Sequence, residues 1–263
     1  MLFRAALLLT VLVCSKVALA WTVTRAGRVA AASFAAGLQI WQQVPLPVHA
    51  ATSSFVVAGS LENANNKLAE YNLPPVLFVP PGFQTIVSEF GRGSAKTPMS
   101  NPIVVQFSAP ALWVTKKTNV NTNGEAGTIS AGDYIKGDSA FLFTSPGPLP
   151  TDKSSISSFI QKSLSQKGDP LESFKVTNIK SGIKGEDGRE YTLADIAYSL
   201  NTEAGFLIGR KGVVSITSVG SQVQALVSVT TDKRWKNLET TIRDIAGTFR
   251  VYKLNTGIFS GQE

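Results

Sequence analysis

GFLIGRKGVVSITSVGSQVQALVSVTTDKRWKNLETTIRDIAGTFRV, residues 205–251, changes period part-way. Its first half reads as two strands, around 205–217 and 223–231, with a glycine turn between them. From Asp232 the period becomes helical. Trp235, Leu238, Ile242, Ile245 and Phe249 recur at steps of 3, 4, 3 and 4, which places them on one face of a helix. Lys236, Glu239, Arg243 and Asp244 take the opposite, wet face. Asp232 is the expected N-cap and Gly247 the expected stop. Trp235 lies on the apolar stripe, so packing is favoured over two other roles, a partner anchor and a base-stacking platform. Stacking would need several exposed aromatics in a basic groove.

Upstream, IVVQFSAP (103–110) reads as a strand ended by Pro110, with Trp113 just beyond it. SAFLFTSP (139–146) is a second strand. Ile156, Phe159, Ile160 and Leu164 mark a helix over 154–166, which Asp152 or Ser154 can cap. SFKVTNIKSGIK (173–184) and REYTLADIAYSLN (189–201) read as further strands. Between 51 and 102, Leu61, Ala64 and Leu68 suggest a short helix stopped by Pro74-Pro75. The strand-like runs VLFV and TIVSEF are either part of an extension or strands added to the sheet. Consecutive strands with one helix inserted and one at the end predict an α+β fold, an antiparallel sheet with helices on its faces.

The first fifty residues read as an address. Arg4, an apolar run from Ala5 to Val13 and Ala18-Leu19-Ala20 make residues 1–20 a secretory signal peptide. Residues 21–50 hold Arg25 and Arg28 and no acid, and close on Val48-His49-Ala50, a second small-x-small site. That arrangement, with Trp21 after the first cleavage site, resembles lumenal proteins of algae with complex plastids. The expected location is therefore the thylakoid lumen. No adjacent Arg pair is present, so a Sec-type last step is expected. A secreted protein with a pro-segment is the simpler alternative.

Composition narrows the chemistry. The chain carries 25 Lys and Arg against 18 acids. All 18 acids but only 21 of the basic residues follow residue 50, so the remainder carries 21 − 18 = +3. That is too little for a nucleic-acid partner, which needs a concentrated basic stripe. Cys14 and His49, the only Cys and His, both fall in the address. Without them the rest of the chain has no Ser-His-Asp or Cys-His nucleophile, no common zinc site and no Cys-ligated cluster. Asp133, Asp138 and Glu186-Asp187 read as solvated turn residues. Gly91-Arg92-Gly93 and Gly182 to Gly188 lack the context of a phosphate loop. No EF-hand loop is present. No apolar run after residue 50 approaches the length of a membrane span.

Three stretches together resemble the PsbP family, extrinsic lumenal proteins associated with photosystem II. QFSAPALW (106–113) is similar to the family strand that ends in Pro-x-x-Trp, here Pro110 and Trp113. FLFTSPGPLPTDKSSISSFI (141–160) is similar to its strand, proline turn and first helix. The most specific is TTDKRWKNLETTIRDIAGTFRV (230–251), with Asp232, Lys233, Arg234 and Trp235 opening the helix and Phe249 in its closing Thr-Phe-x-Val. The resemblance implies an α/β/α sandwich around a central antiparallel sheet over residues 103–253. An extension (51–102) would precede it and a tail (254–263) follow it. It also implies a non-enzymatic protein, peripheral to the membrane, that binds photosystem subunits on the lumenal face and stabilises the oxygen-evolving complex. Lys233, Arg234 and Lys236 would form a basic docking rim. Calcium or manganese is implied by the resemblance alone, and no residue is assigned to either. Residues 51–100 do not match the family's N-terminal region, and any His-dependent role is lost. Those departures leave an assembly factor for photosystem I or II as an alternative. A lumenal enzyme working through paired carboxylates is the other.

Overall fold

The computed structural model describes residues 55–90, 102–117, 129–165, 171–201 and 205–254. The address, with Cys14 and His49, lies outside the described residues, as do Gly91-Arg92-Gly93 and residues 94–101 of the expected loop.

The expected α/β/α sandwich around one central sheet is not what forms. Two antiparallel sheets stack instead, and strand takes 54% of the described residues against 22% for helix. The large sheet has seven strands, in the order β4 (Val114–Lys117), β5 (Ile129–Asp133), β6 (Asp138–Pro146), β10 (Gln222–Thr231), β9 (Leu207–Val219), β8 (Glu190–Asn201) and β7 (Leu171–Lys184). The small sheet has four, in the order β1 (Val56–Gly59), β2 (Phe83–Phe90), β3 (Ile103–Pro110) and β11 (Arg250–Lys253).

Width explains the second sheet. Seven strands at about 4.8 Å spacing span roughly 29 Å, whereas one helix covers about 10 Å. Helix α3 (Asp232–Gly247) lies against β9, β10 and β3. It cannot cover the rest of that face. The small sheet does so, and IVVQFSAP, expected in the central sheet, is its strand β3, buried along almost its whole length. Ile103, Val105 and Phe107 of β3 enter the core between the sheets, where they meet Leu142, Val213, Leu226, Ile242 and Ile245. Val104, on the opposite side of the pleat, faces a separate core under α1 (Leu61–Ala69) with Ala64 and Leu68.

The other face of the large sheet alternates cleanly. Val223, Ala225, Val227 and Val229 of β10 and Ala194, Ile196 and Tyr198 of β8 point towards α2 (Lys153–Ser165), against Ile156, Ile160 and Leu164. Asp152 caps α2, its carboxylate accepting from the N–H groups of Ser154 and Ser155 at 2.9 Å each. At α3 the N-cap is Thr231 rather than Asp232, and it makes no side-chain cap bond. Asp232 begins the helix and pairs with Lys211 at 2.6 Å.

TIVSEF lies within β2, but VLFV forms no strand. Its Val76 borrows sheet-like bonds from a side chain: the Val76 N–H donates to Asn65 Oδ1 (2.8 Å) and Asn65 Nδ2 donates to the Val76 carbonyl (3.1 Å). The flanking Pro74, Pro75, Pro80 and Pro81 have no N–H of their own to give to a ladder.

Candidate functional site

The closing helix motif divides between structure and surface. Arg234 turns inward from the first turn of α3. Its Nε donates to Asp138 Oδ1 at 3.1 Å and its Nη2 to Asp138 Oδ2 at 2.7 Å. Thr230 Oγ1 donates to the same carboxylate at 2.6 Å. Asp138 was expected to be a solvated turn residue, but it is only 2% exposed, because β6 starts there between β5 and β10. The Asp138 hydrogen bonds hold the Arg234 guanidinium above its ordinary pKa. This clamp fixes the start of α3 on the sheet, and it removes Arg234 from the expected docking rim. Lys233 and Lys236 stay exposed, with no ion pair among the described residues.

Arg243 makes a second clamp two turns on, reaching Asp195 of β8 through two bonds of 2.8 and 3.1 Å and Glu239 through a third. Its guanidinium lies 5.8 Å from the Trp235 ring, which is half-buried against the inter-sheet core. Trp235 therefore packs along one edge and keeps another near solvent. Phe249 is fully buried and meets the Tyr191 ring edge-on, with centroids 6.1 Å apart. Pro110 ends β3, and buried Trp113 follows where the chain crosses from the small sheet to the large. The Trp113 N–H donates to the Pro110 carbonyl, and its own carbonyl accepts from Gln84 Nε2 at 2.8 Å.

Asp187 is the other corrected carboxylate. Gly188, at φ +74°, turns the chain so that the Asp187 side chain points inward, leaving it 2% exposed. It accepts from Tyr191 Oη at 2.6 Å, and that oxygen accepts from the Val251 N–H at 3.0 Å. Arg189 Nε donates to the Val251 carbonyl at 2.9 Å. These bonds lace the β7–β8 turn of the large sheet to β11 of the small one. Burial above all, then the Asp187 contact, drives the Tyr191 phenol upward. Burial pushes Tyr252 up to about 12.

Asp138, Asp187 and Asp195 are thus each bonded to Arg or Tyr and lie apart from one another. No group of three or more His, Cys, Asp or Glu placed to hold a metal occurs among the described residues. The residues present there do not fit the calcium or manganese that the family resemblance implies. A cleft of about 290 Å³ opens beside Phe78, Arg243, Asp244 and Arg250. Burial raises the Asp244 carboxyl there. A second acid, Glu186, lines the same cleft, together with the cations Arg243 and Arg250.

The most unusual surface is the end of the large sheet where β5 turns into β6, β9 begins and α3 starts. Of the eleven exposed large hydrophobic side chains among the described residues, seven lie here. The β3–β4 and β5–β6 turns contribute Leu112, Val114, Tyr134 and Ile135, with Leu112 95% and Ile135 98% exposed. The start of β9 adds Phe206, Leu207 and Ile208, the first two 70% and 61% exposed. Lys116 Nζ caps the Tyr134 ring at 4.1 Å. Sequence reading missed this surface, although two signals marked it. Tyr134-Ile135 sits in a polar turn, and Phe206-Leu207-Ile208 is an apolar run too continuous for one face of a strand.

No family profile matches the chain, and no curated protein matches it. Among solved structures, the solution structure of cyanobacterial PsbP (CyanoP) from Synechocystis is similar at a TM-score of 0.41 and 14% identity. That match covers 68% of this chain and 98% of the other.

Proposed function

We propose that the chain is a non-enzymatic extrinsic protein of the PsbP type, resident in the thylakoid lumen, that docks on photosystem subunits and stabilises the oxygen-evolving side of photosystem II. The observation that carries this reading is the closing motif, Asp232-Lys233-Arg234-Trp235 through Phe249, the part of the sequence most similar to that family. The two-part address of residues 1–50 supports the same compartment. The placement of the acids agrees with a non-enzymatic role. Asp138, Asp187 and Asp195 are spent on Arg and Tyr partners that hold α3 and β11 in place. No helix among the described residues is long and apolar enough to cross a membrane, so docking would be peripheral.

The test is co-purification of the tagged chain from thylakoids at low salt. Recovery of photosystem II subunits, lost at high salt as exposed charges are screened, is the expected result. Recovery of photosystem I or of an assembly intermediate would reassign the role to assembly. Protease sensitivity of the chain in intact thylakoids would overturn the lumenal location.

A further inference from the structure

We propose that the apolar end of the large sheet is a membrane-docking surface whose occupant is the headgroup layer of an anionic lipid bilayer. Strand register places its parts side by side. Val114 pairs with Gly132, so the β3–β4 turn that carries Leu112 and the β5–β6 turn that carries Tyr134 and Ile135 leave the sheet at the same end. Thr231, the last residue of β10, pairs with Arg210 of β9, and Arg210 donates to the carbonyl of Gly137 in the β5–β6 turn. The apolar residues of the β3–β4 turn, the β5–β6 turn and the start of β9 therefore lie along one end of the sheet, about 19 Å across by four strand spacings. The most exposed of them, Leu112 and Ile135, project from turns. That shape suits shallow insertion into an interface better than a pocket for a peptide.

Charge selects the occupant. Every acid among the described residues at this end is engaged: Asp133 with Lys136, Asp138 with Arg234, Asp232 with Lys211, and Glu172 with Asn201. Lys116, Lys175, Lys233 and Lys236 have no acid partner among the described residues. Lys175 is level with Lys211 through Ala197, and Lys233 and Lys236 ride the first turns of α3. Apolar tips ringed by unpaired lysines are how a peripheral protein couples burial of hydrocarbon to attraction for anionic lipid. Long lysine stems leave the ammonium at headgroup level while their methylenes lie deeper. This surface is inferred without reference to the lumenal reading, so the vesicle experiment and the co-purification can fail separately.

The experiment uses the full chain with Cys14→Ser and a single reporter cysteine, either Ile135→Cys at the proposed surface or Ile183→Cys at the opposite end of the sheet. Each carries an environment-sensitive nitrobenzoxadiazole dye. With phosphatidylglycerol-rich vesicles, the Ile135→Cys dye is expected to brighten and shift to the blue. The Ile183→Cys dye stays unchanged, which separates this surface from any contribution of the apolar leader. Adding Lys233→Gln and Lys236→Gln should weaken the response by about fivefold for each lysine. A silent dye at position 135 overturns the proposal. So does an equal response at both positions, or an equal response to neutral phosphatidylcholine vesicles. A response at 135 that grows with protein concentration and needs no vesicles would assign the surface to a second copy of the chain, and would likewise overturn it.

Discussion

The two ends of the seven-stranded sheet are finished in opposite ways. At the end that carries the β7–β8 turn, a tyrosine, a carboxylate and an arginine are drawn inward, and polar bonds join the two sheets. At the end where α3 begins, the carboxylate is again drawn inward, to Arg234, but apolar side chains are pushed outward. One end closes the fold. The other closes it only beneath the surface and leaves above it a face that water does not favour. A buried acid at each end serves packing, so the contrast between the ends lies in what surrounds it.

Substitutions at the two ends should differ in size and kind. The largest effect is expected at the closed end. Phe249→Ala removes a fully buried ring from the inter-sheet core and should cost about 3–5 kcal/mol, read as a loss of Tm or of denaturant midpoint. Next comes the clamp under the apolar end. Arg234→Ala strands the buried Asp138 carboxylate and should cost about 2–3 kcal/mol, less than a fully enclosed pair because Arg234 is partly in water. Asp138→Asn keeps an acceptor for Thr230 and leaves Arg234 free to rehydrate, so it should cost less. Equal losses from the two would show that the clamp is not asymmetric.

A smaller effect separates the ends by pH. Tyr252 is neutral when folded, and its folded pKa of about 12 lies above the ordinary phenol value of about 10. The folded state therefore binds the proton more tightly. The resulting stability is complete below pH of about 10 and is lost as pH rises towards about 12. Tyr252→Phe should flatten this alkaline loss by about 1 kcal/mol near pH of about 11, measured by melting across the alkaline range. Tyr191, raised in the same direction, sustains the remaining slope. The smallest effect belongs to the open end. Leu112→Ser and Ile135→Ser should change stability by no more than about 0.5 kcal/mol, since neither side chain is buried. A large loss from either would place it in a core after all.

Most elements were legible because their periods are strong. The steps of 3 and 4 from Trp235 to Phe249 gave the last helix, although the stripe's end, Phe249, lies just past its final turn. Alternation gave β7, and the compact apolar run SAFLFTSP gave β6. The layering was not legible, because period describes one element and not its neighbours. Nothing local in Ile103–Pro110 says that both of its faces are covered, or that Arg250–Lys253 pairs beside it. The clamps were hidden for a related reason. Asp138 and Asp187 sit in turn-like sequence; Arg234 arrives from a distant segment to meet the first, and the second is met by nearby Tyr191, itself held by Val251 sixty residues on, and these partners make burying the two acids tolerable. The long edge strand β7 was legible as a strand but not as an edge. Its three register breaks, together with Lys175, Lys180 and Lys184, deter another chain from pairing there.

One pairing also constrains the order of events as the chain is made. β3 receives its last neighbour, β11, from about 150 residues further along. No nascent fragment that stops short of residue 250 can complete the four-stranded layer or seal the core beneath it. Contacts this distant in sequence are slow to find. Until residues 250–253 arrive, β3 keeps an open edge that another strand could take, so completing this layer also shields it from wrong partners.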